Sequence, residues 1–134
     1  MRGSLRIRDG ADRERGQAMV EFVIVLPILC VLLFGIVQFG ITFNHYLTLT
    51  DSVRAGARKA AVSREVSNPV GAAVAQVRAS ASDLKQSDLA VTVSSNWAPG
   101  VDVTVTAKYP FSINIMGIVV HSGQLSSSTT ERVE

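Results

Sequence analysis

The longest apolar stretch of the chain runs from Phe22 to Phe43 and contains no charged residue. As a helix it rises about 33 Å at 1.5 Å per residue, which matches a hydrocarbon core of roughly 30 Å. It is longer than the apolar region of a typical signal peptide, and no Ala-x-Ala cleavage pattern follows it. The pattern therefore predicts a transmembrane helix, which we place at residues 17–43 and expect to remain as an anchor.

Helical periodicity continues beyond the anchor. Apolar positions recur at spacings of three and four residues, as on one face of a helix: Tyr46, Leu49, Val53, Ala57 and Ala60. We expect the helix to extend from Gln17 to about Arg64, with residues 44–67 as its extramembrane continuation. Ser67-Asn68-Pro69 then predicts a stop and a restart, because Asn is a favoured N-cap and Pro a favoured first helical residue. The second helix is expected to end near Ser82.

From Leu89 the apolar positions alternate with a period of two. Leu89, Val91 and Val93 predict one strand, and the alternation from Val101 to Tyr109 predicts another, with a turn over Asn96–Gly100 between them. Such a hairpin is apolar on its inner face and polar on its outer face. Pro110 is expected to end the second strand, because proline has no N–H for the ladder.

The last part of the chain is harder to assign. The apolar segment from Ile113 to Val120 suggests a loop with a short helix packed on the sheet. The segment from Gln124 to Glu134 is either a third strand, rich in Thr, or a Ser-rich tail. We favour the strand, because an isolated hairpin is only marginally stable.

These elements together predict an α+β fold. A long N-terminal transmembrane helix extends into a small outer domain, which contains one further helix and a two- or three-stranded antiparallel sheet. We divide the chain into a basic leader at residues 1–16, the transmembrane helix at 17–43, its continuation at 44–67 and a small α+β domain at 68–134.

The distribution of charged residues predicts how the chain is oriented in the membrane. The formal net charge is only +2, so no nucleic-acid partner is expected. Five arginines nevertheless fall within the first sixteen residues: Arg2, Arg6, Arg8, Arg13 and Arg15. Basic residues collect on the cytoplasmic side of a span. This predicts a single-pass protein of the cytoplasmic membrane, with its N-terminus in the cytoplasm and its C-terminal domain in the periplasm or outside the cell.

The sequence contains little that indicates catalysis. The two histidines, His45 and His121, have no partners at metal-ligand spacing, and no nucleotide-binding glycine loop or Gly-x-Ser-x-Gly motif occurs. The single cysteine, Cys30, lies inside the apolar stretch and is interpreted as a packing residue. We therefore expect no enzymatic activity, no cofactor and no metal.

A glycine and a glutamate flank the start of the span. Gly16 ends the basic leader, and Glu21 follows five residues later, immediately before Phe22. One interpretation is structural, with Gly16 as a flexible linker and Glu21 as an acid favoured by the positive end of the helix dipole. The combination of basic leader, glycine, small and apolar residues, glutamate and aromatic residue is more distinctive than either residue alone.

That combination resembles a known processing site. The segment from Arg15 to Phe22 resembles the cleavage region of type IV-like prepilins. The wider pattern resembles the TadE-like minor pseudopilins of tight-adherence (Flp-type) pilus systems. In those proteins a Gly-x-x-x-x-Glu-Phe start and one anchor helix lead into an Arg-Ala-Gly-Ala-Arg sequence, matched here by Arg54–Arg58. They often end in a short β-rich region and an Arg-x-Glu, matched by Arg132-Val133-Glu134.

The resemblance implies a structural or assembly subunit. A prepilin peptidase would cut between Gly16 and Gln17, and Glu21 and Phe22 would serve register and assembly. The implied partners are this peptidase, other pilin or pseudopilin subunits, the pilus assembly platform and membrane lipid. The alternative is an uncleaved single-pass membrane protein whose outer domain binds a partner or ligand.

Overall fold

A computed structural model describes the backbone of residues 8–115 and 117–134, with side chains from Glu14 onward apart from Met116. Arg2 and Arg6 of the predicted leader lie outside the described residues. The described chain contains helix α1 (Arg8–Ala61), helix α2 (Pro69–Ser80) and strands β1 (Ala90–Ser94), β2 (Asp102–Ile115) and β3 (Ile118–Arg132). The architecture is α+β, as predicted.

Helix α1 is longer than the sequence pattern indicates. It begins at Arg8 rather than Gln17 and ends at Ala61 rather than near Arg64. The chain divides into two compact units, Met1–Val37 and Gln38–Glu134, so α1 contributes to both. Pro27 lies inside the helix without ending it.

In the first unit, the apolar side chains of α1 are exposed. Phe22, Ile28 and Ile36 each retain more than half of their accessible surface. The helix is long and apolar enough to cross a membrane, with a mean hydropathy of 2.9 over its most apolar window and no buried residue there. Since so much exposed apolar surface is unfavourable in water, this helix fits a single-pass membrane protein.

The second unit has its own hydrophobic core. The core lies between the C-terminal half of α1, helix α2 and one face of the sheet. Its fully buried larger side chains are Leu49, Val53, Val77, Val103, Val105 and Val133. Of the predicted face of α1, all positions are buried except Tyr46, which stays 41% exposed. Three further positions of α1 are buried as well: Ser52, Gly56 and Ala61.

Helix α2 begins as the sequence predicts. Pro69 occupies the first turn, and the backbone N–H of Gly71 donates to Oδ1 of Asn68 at 2.8 Å. This bond satisfies one of the amide groups left free at a helix N-terminus. Ala73 and Val77 form the buried face, and the helix ends at Ser80, slightly earlier than expected.

The sheet has three antiparallel strands in the order β1-β2-β3. Val93 of β1 pairs with Val105 of β2, which in turn pairs with Thr129 of β3. The segment from Gln124 is therefore a strand and not a tail, as the favoured interpretation held. On the polar face, hydroxyls of β2 and β3 bond across the strands, as between Thr104 and Thr130 at 2.9 Å.

Two predictions for the end of the sheet are wrong. Pro110 does not end β2, which continues to Ile115. Ile113–Ile115 and Ile118–Val120 belong to β2 and β3 rather than to a loop with a short helix. The physical reason is that β1 pairs with β2 only as far as Lys108. Beyond that point no other described strand pairs with this edge of β2, and proline is tolerated on an edge because no ladder bond is lost.

Candidate processing and assembly site

The four residues singled out at the start of the span lie on consecutive turns of α1. Gly16, Gln17, Glu21 and Phe22 are all helical and all exposed. Gln17 and Glu21 share one face, because residues four apart in a helix are neighbours. Sequence reasoning placed the helix start at Gln17, so it missed that the Gly16–Gln17 peptide bond lies within a helix.

Gly16 is not required by contacts inside this chain. A Cβ placed on it would meet no other atom within 4 Å. Glycine in an exposed helix is about 1 kcal/mol less favourable than alanine, so the fold gains nothing from it here. Any requirement for a small residue at this position therefore comes from outside the described chain.

The surface beside Gly16 is a shallow, open depression. Its walls are mostly apolar and are formed by neighbouring helical residues: Arg15, Gly16, Ala18, Met19 and Phe22. The missing side chain of Gly16 opens this depression and leaves the adjacent backbone accessible.

Glu21 has one described polar contact. The side-chain amide of Gln17 donates from Nε2 to Oε1 of Glu21 at 3.2 Å. Among the described side chains, none of the ion pairs involves Glu21. A neutral amide leaves the negative charge of the carboxylate uncompensated, and such a charge is costly next to lipid.

The Arg-Ala-Gly-Ala-Arg sequence has a packing role. A Cβ on Gly56 would collide with Cγ2 of Val77 and would lie 3.3 Å from the carbonyl oxygen of Ala73. Gly56 and Ala57 are buried, whereas Arg54 and Arg58 are exposed on the other side of α1. The small residues therefore let α2 approach α1 closely. No local signal in the sequence identifies α2 as the partner.

The same part of the chain matches a known family. A family sequence model described as TadE-like protein matches residues 16–58. Over this segment the chain is similar to TadE-like proteins. The match begins at Gly16, includes the apolar span and ends at Arg58, the last residue of the Arg-Ala-Gly-Ala-Arg sequence. No curated protein and no solved structure matches the chain.

The TadE-like segment supports a role associated with the Tad pilus and fits one membrane span. It contains the predicted processing residues Gly16 and Gln17 and the predicted assembly residues Glu21 and Phe22, which the structure places together on α1. Among the described residues, no three His, Cys, Asp or Glu side chains are grouped as metal ligands would be.

Proposed function

We propose that this protein is a minor pseudopilin, a structural or assembly subunit of an Flp-type pilus, processed by a prepilin peptidase between Gly16 and Gln17. The observation that carries the proposal is the TadE-like match, which starts at Gly16 and continues through the span. The basic leader would be removed, leaving residues 17–134 as the mature subunit.

The local structure supports cleavage at Gly16 in two ways. Gly16 has no side chain to cover its own backbone, and no described atom outside the adjoining helix backbone lies within 4 Å of the place where a Cβ would be. Glycine also lowers the free energy needed to unwind the helix by about 1 kcal/mol relative to alanine. Unwinding matters because the scissile carbonyl is hydrogen-bonded within α1, and a protease must reach it.

Cleavage would create a partner for Glu21. The new N-terminus at Gln17 is an ammonium group beside an apolar surface, where an unpaired charge is unfavourable. Glu21 of a neighbouring subunit can pair with it, so that two costly charges offset each other. The amide of Gln17, which bonds Glu21 in the same chain, would be a weaker partner than this ammonium group. The pairing would set the axial register of packed helices.

The distribution of charge supports an orientation. The leader has five arginines, whereas the first basic residue after the span is Arg54. The second unit, Gln38–Glu134, is called the outer unit below. By the positive-inside rule, the N-terminus lies in the cytoplasm and the outer unit lies in the periplasm or outside the cell. Residues 17–43 would form the anchor. Packing partners would approach at Gly35 and Gly40, where an added Cβ would meet no other atom within 4 Å.

The deciding measurement is the intact mass of the membrane-extracted protein. We expect a mature chain that begins at Gln17 when an active prepilin peptidase is present, and the full-length chain when that peptidase carries an inactivated catalytic aspartate. Full-length protein in both strains would favour the alternative, an uncleaved single-pass protein whose outer domain binds a partner.

A further inference from the structure

The β2–β3 hairpin extends beyond the core as a two-stranded tip. β1 pairs with β2 as far as Lys108, and the hairpin continues past Tyr109 to a turn at Gly117. Three side chains near the turn are largely exposed, namely Ile118 at 70%, Val119 at 59% and Val120 at 62%. We define the hairpin tip as residues 111–115 and 117–123. Exposed apolar side chains grouped in this way indicate a surface that contacts something other than water.

The hairpin tip is also free of charge. No Asp, Glu, Lys or Arg occurs from Tyr109 to Thr130. Charged side chains resume at the level of Tyr109, where the backbone N–H of Lys85 donates to the Tyr109 hydroxyl at 3.4 Å. Lys85 pairs with Asp88 at 3.3 Å, and Lys108 directly precedes Tyr109. The boundary between charged and uncharged surface therefore crosses the outer unit near Tyr109.

Two contacts establish which way the tip extends along α1. At one end of the core, the backbone N–H of Glu134 donates to the carbonyl of Ala61 at 3.1 Å, next to the Asp102–Arg132 strand pair. At the other end, the rings of His45 and Tyr109 meet edge to face, with centroids 5.6 Å apart.

Strand β2 therefore runs alongside α1 in the opposite direction. From Asp102 to Tyr109 a strand rises about 23 Å, and from His45 to Ala61 a helix rises about 24 Å. The two lengths agree, so strand and helix axes are close to antiparallel over this part of the outer unit. Past Tyr109 the tip continues for about 20 Å, in the direction in which α1 becomes apolar.

The last turns of the apolar segment thus lie on the same side of the charged boundary as the tip. From His45 back to Gln38 the helix covers about 10 Å, so a hairpin tip that keeps the direction of β2 reaches the level of Gln38. Gln38, Thr42 and His45 are half-buried and share one helix face with buried Leu49. These positions are shielded although most of their neighbours on α1 are exposed.

We propose that the hairpin tip inserts into the headgroup and acyl boundary of the membrane, on the side where α1 leaves the bilayer. The occupant of this apolar surface is lipid. The argument is the continuity of the charge-free tip with the apolar end of the span, together with one exposed tyrosine at the boundary. Tyr46, next to His45 on α1, is 41% exposed, and tyrosine is enriched where membrane meets water.

Insertion is limited to the interface. Beyond Lys108 the hairpin has two unpaired edges, and unsatisfied backbone groups are not tolerated in the hydrocarbon layer. A depth of roughly 5–10 Å is typical of apolar surface at the headgroup boundary. This places the outer edge of the hydrocarbon near Gln38, so that Gln38–Phe43 pass through the headgroup layer beside the tip. The proposal requires the membrane span but not cleavage or pilus assembly.

The test uses the full chain in nanodiscs that each hold one copy. On a Cys30→Ser background, single cysteines are introduced as Val119→Cys and Ser126→Cys and labelled with the fluorophore NBD. Both positions are exposed on β3, and Ser126 pairs with Lys108, next to the boundary between charged and uncharged surface. Ser126→Cys is therefore a matched control on the same strand.

With phospholipid carrying a nitroxide at acyl carbon 5, we expect the Val119 label to lose roughly twice the fraction of emission lost by the Ser126 label. Equal quenching at the two positions would overturn the proposal. A second preparation holds several copies of the chain in each nanodisc. If the Val119 label is shielded from water only in that preparation, and the lipid nitroxide does not quench it, the proposal is also overturned. That result would indicate that a neighbouring subunit covers the tip.

A second measurement uses the unmodified chain. Photoactivatable phospholipid should crosslink to peptides from the hairpin tip as well as to the apolar part of α1. Crosslinks confined to α1 would contradict insertion. Because no residue is substituted, this result does not depend on the folding of a variant.

Discussion

Gly56 of α1 lies directly against Val77 of α2. A Cβ at Gly56 would overlap Cγ2 of Val77, and the carbonyl of Ala73 is also within 3.3 Å of that position. The TadE-like segment therefore contains a glycine whose role can be explained by packing inside the outer unit, whereas Gly16, Gly35 and Gly40 have no such contact.

Gly56→Val should destabilise the outer unit by about 1–3 kcal/mol, the usual cost of overpacking a close contact. The free energy of unfolding can be measured by denaturant titration in detergent micelles. The reporter is the single tryptophan, Trp97, which is half-buried against the core. Lys59→Val, on the exposed side of α1, is the control and should change stability by no more than about 0.5 kcal/mol.

A double-mutant cycle isolates the contact. In Gly56→Val with Val77→Ala, the loss of stability should be smaller than the sum of the two single losses, because the smaller side chain makes room for the larger one. Additive losses would show that the two positions are energetically independent.

Asn68→Ala should destabilise the protein by about 1 kcal/mol, because the amide of Gly71 loses its acceptor. Asn68→Asp keeps an acceptor oxygen and should remain close to the wild type in the same denaturant titration. Ser67→Ala is the neighbouring control. Equal losses for Asn68→Ala and Asn68→Asp would indicate that the cap bond contributes nothing.

Gly16→Val should block processing, because its branched side chain covers the backbone that the glycine leaves open. The readout is the ratio of full-length to mature protein by intact mass after co-expression with an active prepilin peptidase. Ala18→Val, two residues further along the exposed helix, should be processed normally. If the Gly16→Val protein still has a mature N-terminus at Gln17, processing does not require a small side chain at position 16.

Glu21→Ala should insert into the membrane normally but enter the assembled pilus fraction at least about tenfold less, a loss equivalent to roughly 1.4 kcal/mol. Glu21→Gln should behave similarly, since it removes the charge but keeps the shape. Glu14→Ala is the control, because Glu14 belongs to the predicted leader. Normal incorporation of both Glu21 variants would contradict an electrostatic role in register.

The pKa of the Asp88 carboxyl is held below its ordinary value of 3.8, first by the hydrogen bond from Ser87 and then by Lys85. Because the pKa of this carboxyl is lower in the folded state than in the unfolded state, its ionised form stabilises the fold at pH values above the unfolded-state pKa. This contribution is lost as the pH falls through the folded-state pKa. Ser87→Ala should therefore raise the pKa of Asp88 in an NMR titration of the carboxyl carbon. Ser82→Ala, which removes the equivalent hydroxyl beside Asp83, should leave the pKa of Asp88 unchanged.

Much of the architecture follows from local chemistry and was predictable from the sequence. The apolar run predicts a span by length alone, the Asn68–Pro69 pair predicts the start of α2, and the alternation from Val101 predicts β2. In each case the signal lies within a few neighbouring residues and needs no knowledge of distant contacts. Gly16 and Glu21 were likewise singled out by their place between the basic leader and the apolar run. The roles that the family resemblance implies for them, in processing and in assembly, stay predictions.

Other features depend on distant partners. Pro110 normally ends a strand, but here β1 stops at Lys108, so the proline lies on a free edge and β2 continues. Likewise, no local signal shows that the leader joins α1 from Arg8.

The sequence by itself determined the span, the helix cap and the alternation of strands, because each arises from the chemistry of adjacent side chains. Only the tertiary structure decided that Gly56 admits Val77 and that Tyr109, at the base of the apolar tip, meets His45 of α1. Both depend on which elements pack together, and packing is set by the shape and volume of surfaces that are far apart along the chain.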